Sequence, residues 1–228
     1  MKRALRIITI ILLSLTIVFT VLGGAGTSCV AWNADTLEGS MAKMAPVMTQ
    51  LKILVVLSIA AGLWGIYSTI RLSKGRANGW LFTILFLVIG AVTSGIQYYY
   101  SSTLRGSTAP NSMRLYITLL TLLVLLIIRL PGIWTGTGFD KPKSDKTTEL
   151  AGGAALFVSG LITLTTPFWA ANTHIINGYN TVYDLLVPLL VAGGAAVFYG
   201  WILLRRALRP VKHELEEAGA APRVVIQG

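Results

Sequence analysis

Residues 115–134 read LYITLLTLLVLLIIRLPGIW. A run of 14 uncharged residues ends at Arg129, two positions before Pro131. As a helix rising 1.5 Å per residue, the whole stretch is about 30 Å long, the thickness of a bilayer's hydrocarbon core. It therefore predicts a membrane span. Five further apolar runs of similar length cover about residues 4–23, 51–70, 80–98, 151–169 and 185–204. The chain as a whole is 54% hydrophobic and 12% charged, against about 25% charged in a soluble domain. None of the runs alternates as a barrel strand would, and an open sheet in lipid would leave backbone donors unpaired. The expectation is an all-α polytopic bundle of six spans. It forms a single membrane domain over residues 1–210, followed by a short cytoplasmic tail, 211–228.

The net charge of +10 is distributed unevenly. With the N-terminus inside, inner segments hold Lys2, Arg3 and Arg6, then Arg71, Lys74 and Arg76, then Lys141, Lys143 and Lys146, then a basic tail. The outer side receives only Lys43, Lys52, Arg105 and Arg114. The positive-inside rule then puts both termini in the cytoplasm, with the protein in the plasma membrane. The same basic residues meet anionic headgroups. No basic stretch is interleaved with stacking aromatics, so nucleic acid is not an expected partner. The first run has a rival reading as a signal peptide, with Gly24-Ala25-Gly26 as small residues for cleavage, which would leave five spans.

Lipid removes the hydrophobic drive between spans, so close packing relies on small residues. Ser58 and Gly62, Ala61 and Gly65, Gly90 and Ser94, Ala151 and Ala155, and Ala192 and Ala196 recur at four-residue spacing. Runs two, three, five and six are therefore expected to form the packed core. Runs one and four, aliphatic and threonine-rich, are expected at the periphery, facing other membrane subunits or a second copy. Three spans per half would allow two inverted triplets, but the echo of AGGAALF (151–157) in AGGAAVF (192–198) pairs runs five and six and not corresponding halves, and reads as shared small-residue composition.

The chemistry is largely negative. The span interiors contain no Asp, Glu or His, which disfavours bilayer haem ligation and carboxylate proton relays. The single cysteine, Cys29, cannot close an intramolecular disulfide. No catalytic residue, cofactor or metal site is expected. Three residues remain as candidate partner, lipid or ligand contacts. Arg129 reads as an anchor at the inner end of run four, where Pro131 leaves the Ile127 carbonyl without its usual donor. Asp184 reads as the N-cap of run six. His174, in the outer loop AANTHIINGYNTVY, reads as a solvated loop histidine, with a metal site shared with Asp35 or Glu38 as the lesser reading. The leading expectation is a non-catalytic accessory or assembly subunit of a membrane complex. A small transporter or channel for a neutral or anionic solute is the alternative, and a lipid-acting enzyme is a third class.

Overall fold

A computed structural model of the chain describes residues 2–37, 39–139, 146–170, 175–176 and 179–208. Among them, six helical segments are long and apolar enough to cross a membrane. Helix α1 is Lys2–Asn33, and a 3₁₀ turn (Ala42–Val47) leads into α2, Met48–Ser73. Helix α3 is Gly79–Tyr100 and ends in a π-helical turn, Ser101–Arg105. Helix α4 is Asn111–Ile128, α5 is the short Trp134–Thr137, α6 is Lys146–Ala170 and α7 is Leu186–Leu208. Between α6 and α7 lie a two-residue strand pair, Ile175–Ile176 with Tyr179–Asn180, and a 3₁₀ turn, Thr181–Leu185. The chain is thus a polytopic helical membrane protein.

The expected division of the core is overturned. Helix α1 is central: it packs on α2, α4 and α6, and no residue from Thr9 to Ala31 is exposed. It is consequently not free for self-association. The reason is that small residues do not have to face small residues. A Cβ at Gly62 would run into Val21 Cγ2, and one at Gly65 would lie 2.9 Å from Ile17 Cγ1. The small seam of α2 thus receives the branched side chains of the smooth helix. Threonines supply the rest of the contact. Thr9, Thr16 and Thr20 are fully buried on α1, and Thr16 Oγ1 lies 2.9 Å from Thr121 Oγ1 of α4. Gly24 and its small neighbours, read as a cleavage site, lie inside α1, with Gly24 against Ser58 and Ile59.

Helices α6 and α7 form a separate antiparallel hairpin, which joins the rest chiefly through α1 and α6. Here small does meet small. A Cβ at Gly160 would lie 2.7 Å from Gly193 O, and one at Gly200 would lie 2.9 Å from Gly153 O. The backbones touch, as small-residue seams in lipid allow. Helix α4 packs on α3 and α1, so the packing groups are α1–α4 and α6–α7, not two triplets.

One end of the bundle is closed by a cation. Arg6 Nη2 donates to Ser73 O at 2.8 Å and to Thr148 Oγ1 at 2.7 Å, and its guanidinium lies 5.4 Å from the centre of the Phe139 ring. This joins the start of α1, the end of α2 and the start of α6.

Candidate functional site

Helix α4 begins four residues before the expected run and ends before Arg129. The shift exchanges the roles of its two arginines. The buried stripe of α4 is Asn111, Arg114, Thr118, Thr121, Leu125 and Ile128. Its exposed stripe is Met113, Tyr116, Leu119, Leu120, Leu123 and Ile127. Spacings of three and four place each set on one face. The helix is polar towards the protein and apolar towards lipid, the reverse of a soluble amphipathic helix.

Arg114, expected in an outer loop, is 2% exposed. Nη1 donates to Gln97 Oε1 at 2.8 Å, and Nη2 donates to Ser58 Oγ and Thr93 Oγ1, each at 2.9 Å. Both hydroxyls in turn donate to carbonyls of their own helices, Leu54 O at 2.6 Å and Gly90 O at 3.2 Å. The side chain runs beneath Gly23 of α1, where a Cβ would meet Arg114 Cδ at 3.1 Å. One side chain therefore ties α4 to α2 and α3, and rests against α1. All its hydrogen-bond partners are neutral, and residues 39–139 contain no Asp or Glu at all. Three polar atoms around it are buried without a partner among the described residues: Arg114 Nε, Gln97 Nε2 and, one turn from Gly23, Thr20 Oγ1. A buried cation without an anion is costly; here charged hydrogen bonds, each worth about 1.5–3 kcal/mol, offset part of that cost.

Arg129 caps the C-terminus of α4 and is exposed. Its guanidinium carbon lies 4.7 Å from the Trp134 ring centre and 5.4 Å from that of Trp80. The carbonyl that Pro131 was expected to orphan is taken by a tightened last turn, with Leu130 N donating to Ile127 O at 3.1 Å. Arg129 is thus not needed as its partner and stacks on the two indoles instead. Asp184 does not cap a helix. The cap is Asn180, whose side chain accepts from Val182 N at 3.1 Å. Asp184 Oδ1 accepts from the Tyr179 hydroxyl at 2.7 Å. That hydrogen bond, with the carboxylate's charge, raises the Tyr179 pKa above its usual 10.0. Asp35 is exposed; His174 and Glu38 lie outside the described residues. Among the described residues, no three His, Cys, Asp or Glu lie close enough to share a metal ion.

At the end of the bundle opposite Arg6, the α1–α4 group and the α6–α7 hairpin diverge around a cavity of about 610 Å³. Its wall is mainly apolar, with Phe19 and Leu22 from α1, Ile162 from α6 and Leu185 and Leu189 near the start of α7. Thr27, Ser101, Asn111, Thr165 and Thr166 are the polar residues along it, and among the described residues the single charge on its wall is Arg105. Gly23 and Asn111 form part of the wall, so Arg114 stands one layer behind it. Nearer Arg6, α1 buries Ile10, Leu13 and Ile17 in the main hydrophobic core, and none of the three lines the cavity.

The sequence carried a signal for this site. Asn111, Arg114, Thr118 and Thr121 share a helical face, and that pattern identifies Arg114 as part of a span once the helix is begun at Asn111. Starting the run at the first unbroken apolar residue, Leu115, hid it. No family model matches this chain, and neither a curated protein nor a solved structure matches it.

Proposed function

We propose that this chain is a non-catalytic subunit of a larger membrane complex, with α1 retained as a span and both termini in the cytoplasm. The observation that supports the reading is the use made of Arg114. Its two terminal nitrogens are occupied by neutral side chains of adjacent helices, so its charge serves as a crosslink and not as a reactive group. A core held this way suits a scaffold. Helix α7 is the natural partner face, because it packs mainly on α6 and presents Val187, Val191, Phe198 and Trp201 outward. The orientation rests on the basic residues gathered at the Arg6 end, where anionic inner-leaflet lipid would hold them.

Mass analysis of the protein released in mild detergent tests the reading. A complex containing a second membrane protein in fixed ratio is expected. A stable lone monomer with nothing bound in fixed ratio overturns it. The cavity favours a second reading, transport of a small solute, in which the packed core between it and Arg6 would have to open. Flux of anions and neutral solutes into liposomes separates the two. Flux that Arg129→Ala leaves unchanged would remove Arg129 from any transport path.

A further inference from the structure

The cavity and Arg105 carry an inference independent of the subunit reading. We propose that the cavity is a binding site for an anionic lipid of the surrounding bilayer, with an acyl chain along its apolar wall and the acidic headgroup on Arg105.

Depth is the first argument. Along α1, at 1.5 Å per residue, Phe19 lies about 20 Å from Arg6 and Val30 about 36 Å. With Arg6 at one boundary of a hydrocarbon core about 30 Å thick, the cavity runs from acyl-chain depth to the opposite headgroup zone. Arg105 stands at its outer end. Gln97 is level with Arg114 and Gly23, and Arg105 lies about two turns further along the same continuous helical segment. The apolar wall at Phe19, Ile162 and Leu189 lies deeper. An amphiphile with its head at the membrane surface matches that order of groups.

Charge is the second argument. Arg105 is half-buried, its Nε is buried without a partner, and among the described residues it has no hydrogen bond or ion pair. Among the described residues, the other buried or half-buried arginines, Arg6, Arg71 and Arg114, all donate hydrogen bonds, and the exposed Arg129 stacks on aromatic rings. Arg114 adds a second positive charge one layer behind the wall, again without a carboxylate. Both make the mouth favourable for an anion, and a guanidinium suits a phosphate or carboxylate better than any neutral head. Size is the third. The volume lies within the roughly 300–1,000 Å³ usual for small-molecule sites, and the wall is chiefly aliphatic, with few polar groups to fix orientation.

Native mass spectrometry of the whole protein, delipidated and then titrated with defined lipids, tests this. Phosphatidylglycerol is the probe, phosphatidylcholine of the same chains the uncharged-net control, and oleate the probe for a free fatty acid. One phosphatidylglycerol per chain is expected, retained at least tenfold more tightly than phosphatidylcholine. Arg105→Gln should lose about tenfold in retention, and Arg105→Lys should keep most of it. Leu189→Trp, which fills the chain region and leaves Arg105 in place, should weaken both lipids alike. Thermal melting of each variant identifies any that fails to fold, and the remaining variants then decide. Equal retention of the two phospholipids, or retention that neither Arg105→Gln nor Leu189→Trp changes, overturns the site. Oleate binding in place of phosphatidylglycerol overturns the bilayer lipid as occupant.

Discussion

Arg114 on α4 and Gln97 on α3 meet through a single 2.8 Å hydrogen bond, and each keeps one buried nitrogen without a partner. The pair is therefore under-satisfied but coupled. Ser58 and Thr93 could lose Arg114 at little cost, because each still donates to its own helix. Gln97 could not, since its oxygen would join its nitrogen in having no partner. Arg114→Ala should lower stability by about 3 kcal/mol, combining the volume lost with the stranded amide. Gln97→Leu in that background should recover part of the loss. A double-mutant cycle on detergent unfolding should give a coupling of about 1 kcal/mol, in the range of interhelical hydrogen bonds in bilayers. Zero coupling would mean that the bond does not form in the folded protein.

The α6–α7 hairpin makes a sharper demand. A Cβ at Gly200 would lie 2.6 Å from the Phe157 backbone nitrogen, and one at Gly160 2.7 Å from Val197 N. Backbone cannot rotate away, so Gly200→Leu and Gly160→Leu must separate the helices. Each should cost about 1–3 kcal/mol. Gly152 and Gly194, one in each of the two AGGAA sequences (151–155 and 192–196), have no described atom within 4 Å of a Cβ. Alanine there should be neutral or stabilising, since it replaces glycine in a helix. Melting temperatures of the four variants check this; equal losses would contradict the close seam.

These glycines and arginines also mark what the sequence made legible. The six spans could be read from run length, because the bilayer sets that length almost independently of packing. Which helix lies at the centre could not. Small residues say that something approaches closely, but Gly62 receives Val21 whereas Gly160 receives Gly193, and the sequence does not distinguish the two. Arg129 was legible as the end of a helix because Pro131 follows it. Arg114 is not legible from run length, because a run of uncharged residues starts only at Leu115, whereas a helix whose partners offer Gln97, Ser58 and Thr93 can begin with a buried charge. The cavity depends on where α6–α7 diverges from α1, which no single run contains.

The Tyr179–Asp184 hydrogen bond sets a pH expectation. Asp184 stabilises the protonated phenol, so the folded-state pKa lies above 10.0. A group with a raised folded pKa contributes stability that is fully present below its unfolded value and is lost as pH rises through the folded value. Any contribution therefore disappears only above about pH 10, and stability at neutral pH should be insensitive to it. The tyrosinate absorbance of wild type minus Tyr179→Phe should titrate above 10, and Asp184→Ala should bring it down. An unchanged midpoint would mean that the hydroxyl does not face Asp184 in solution.

Arg129 and Arg114 lie on one helix, and their substitutions should behave very differently. Arg129 is exposed, and its stacking on Trp80 and Trp134 resembles exposed cation–π contacts worth about 0.5–1 kcal/mol. Pro131 and the Leu130-to-Ile127 hydrogen bond end the helix without it. Arg129→Ala should thus cost less than about 1 kcal/mol, well below Arg114→Ala. It should still change the environment of two indoles. Emission from Trp80 and Trp134, isolated by replacing Trp32, Trp64, Trp169 and Trp201 with Phe, should shift when Arg129 is removed and be largely restored by lysine, which keeps the charge but not the planar stack. A loss of stability as large as that of Arg114→Ala would show that Arg129 carries more of the fold than its two rings account for.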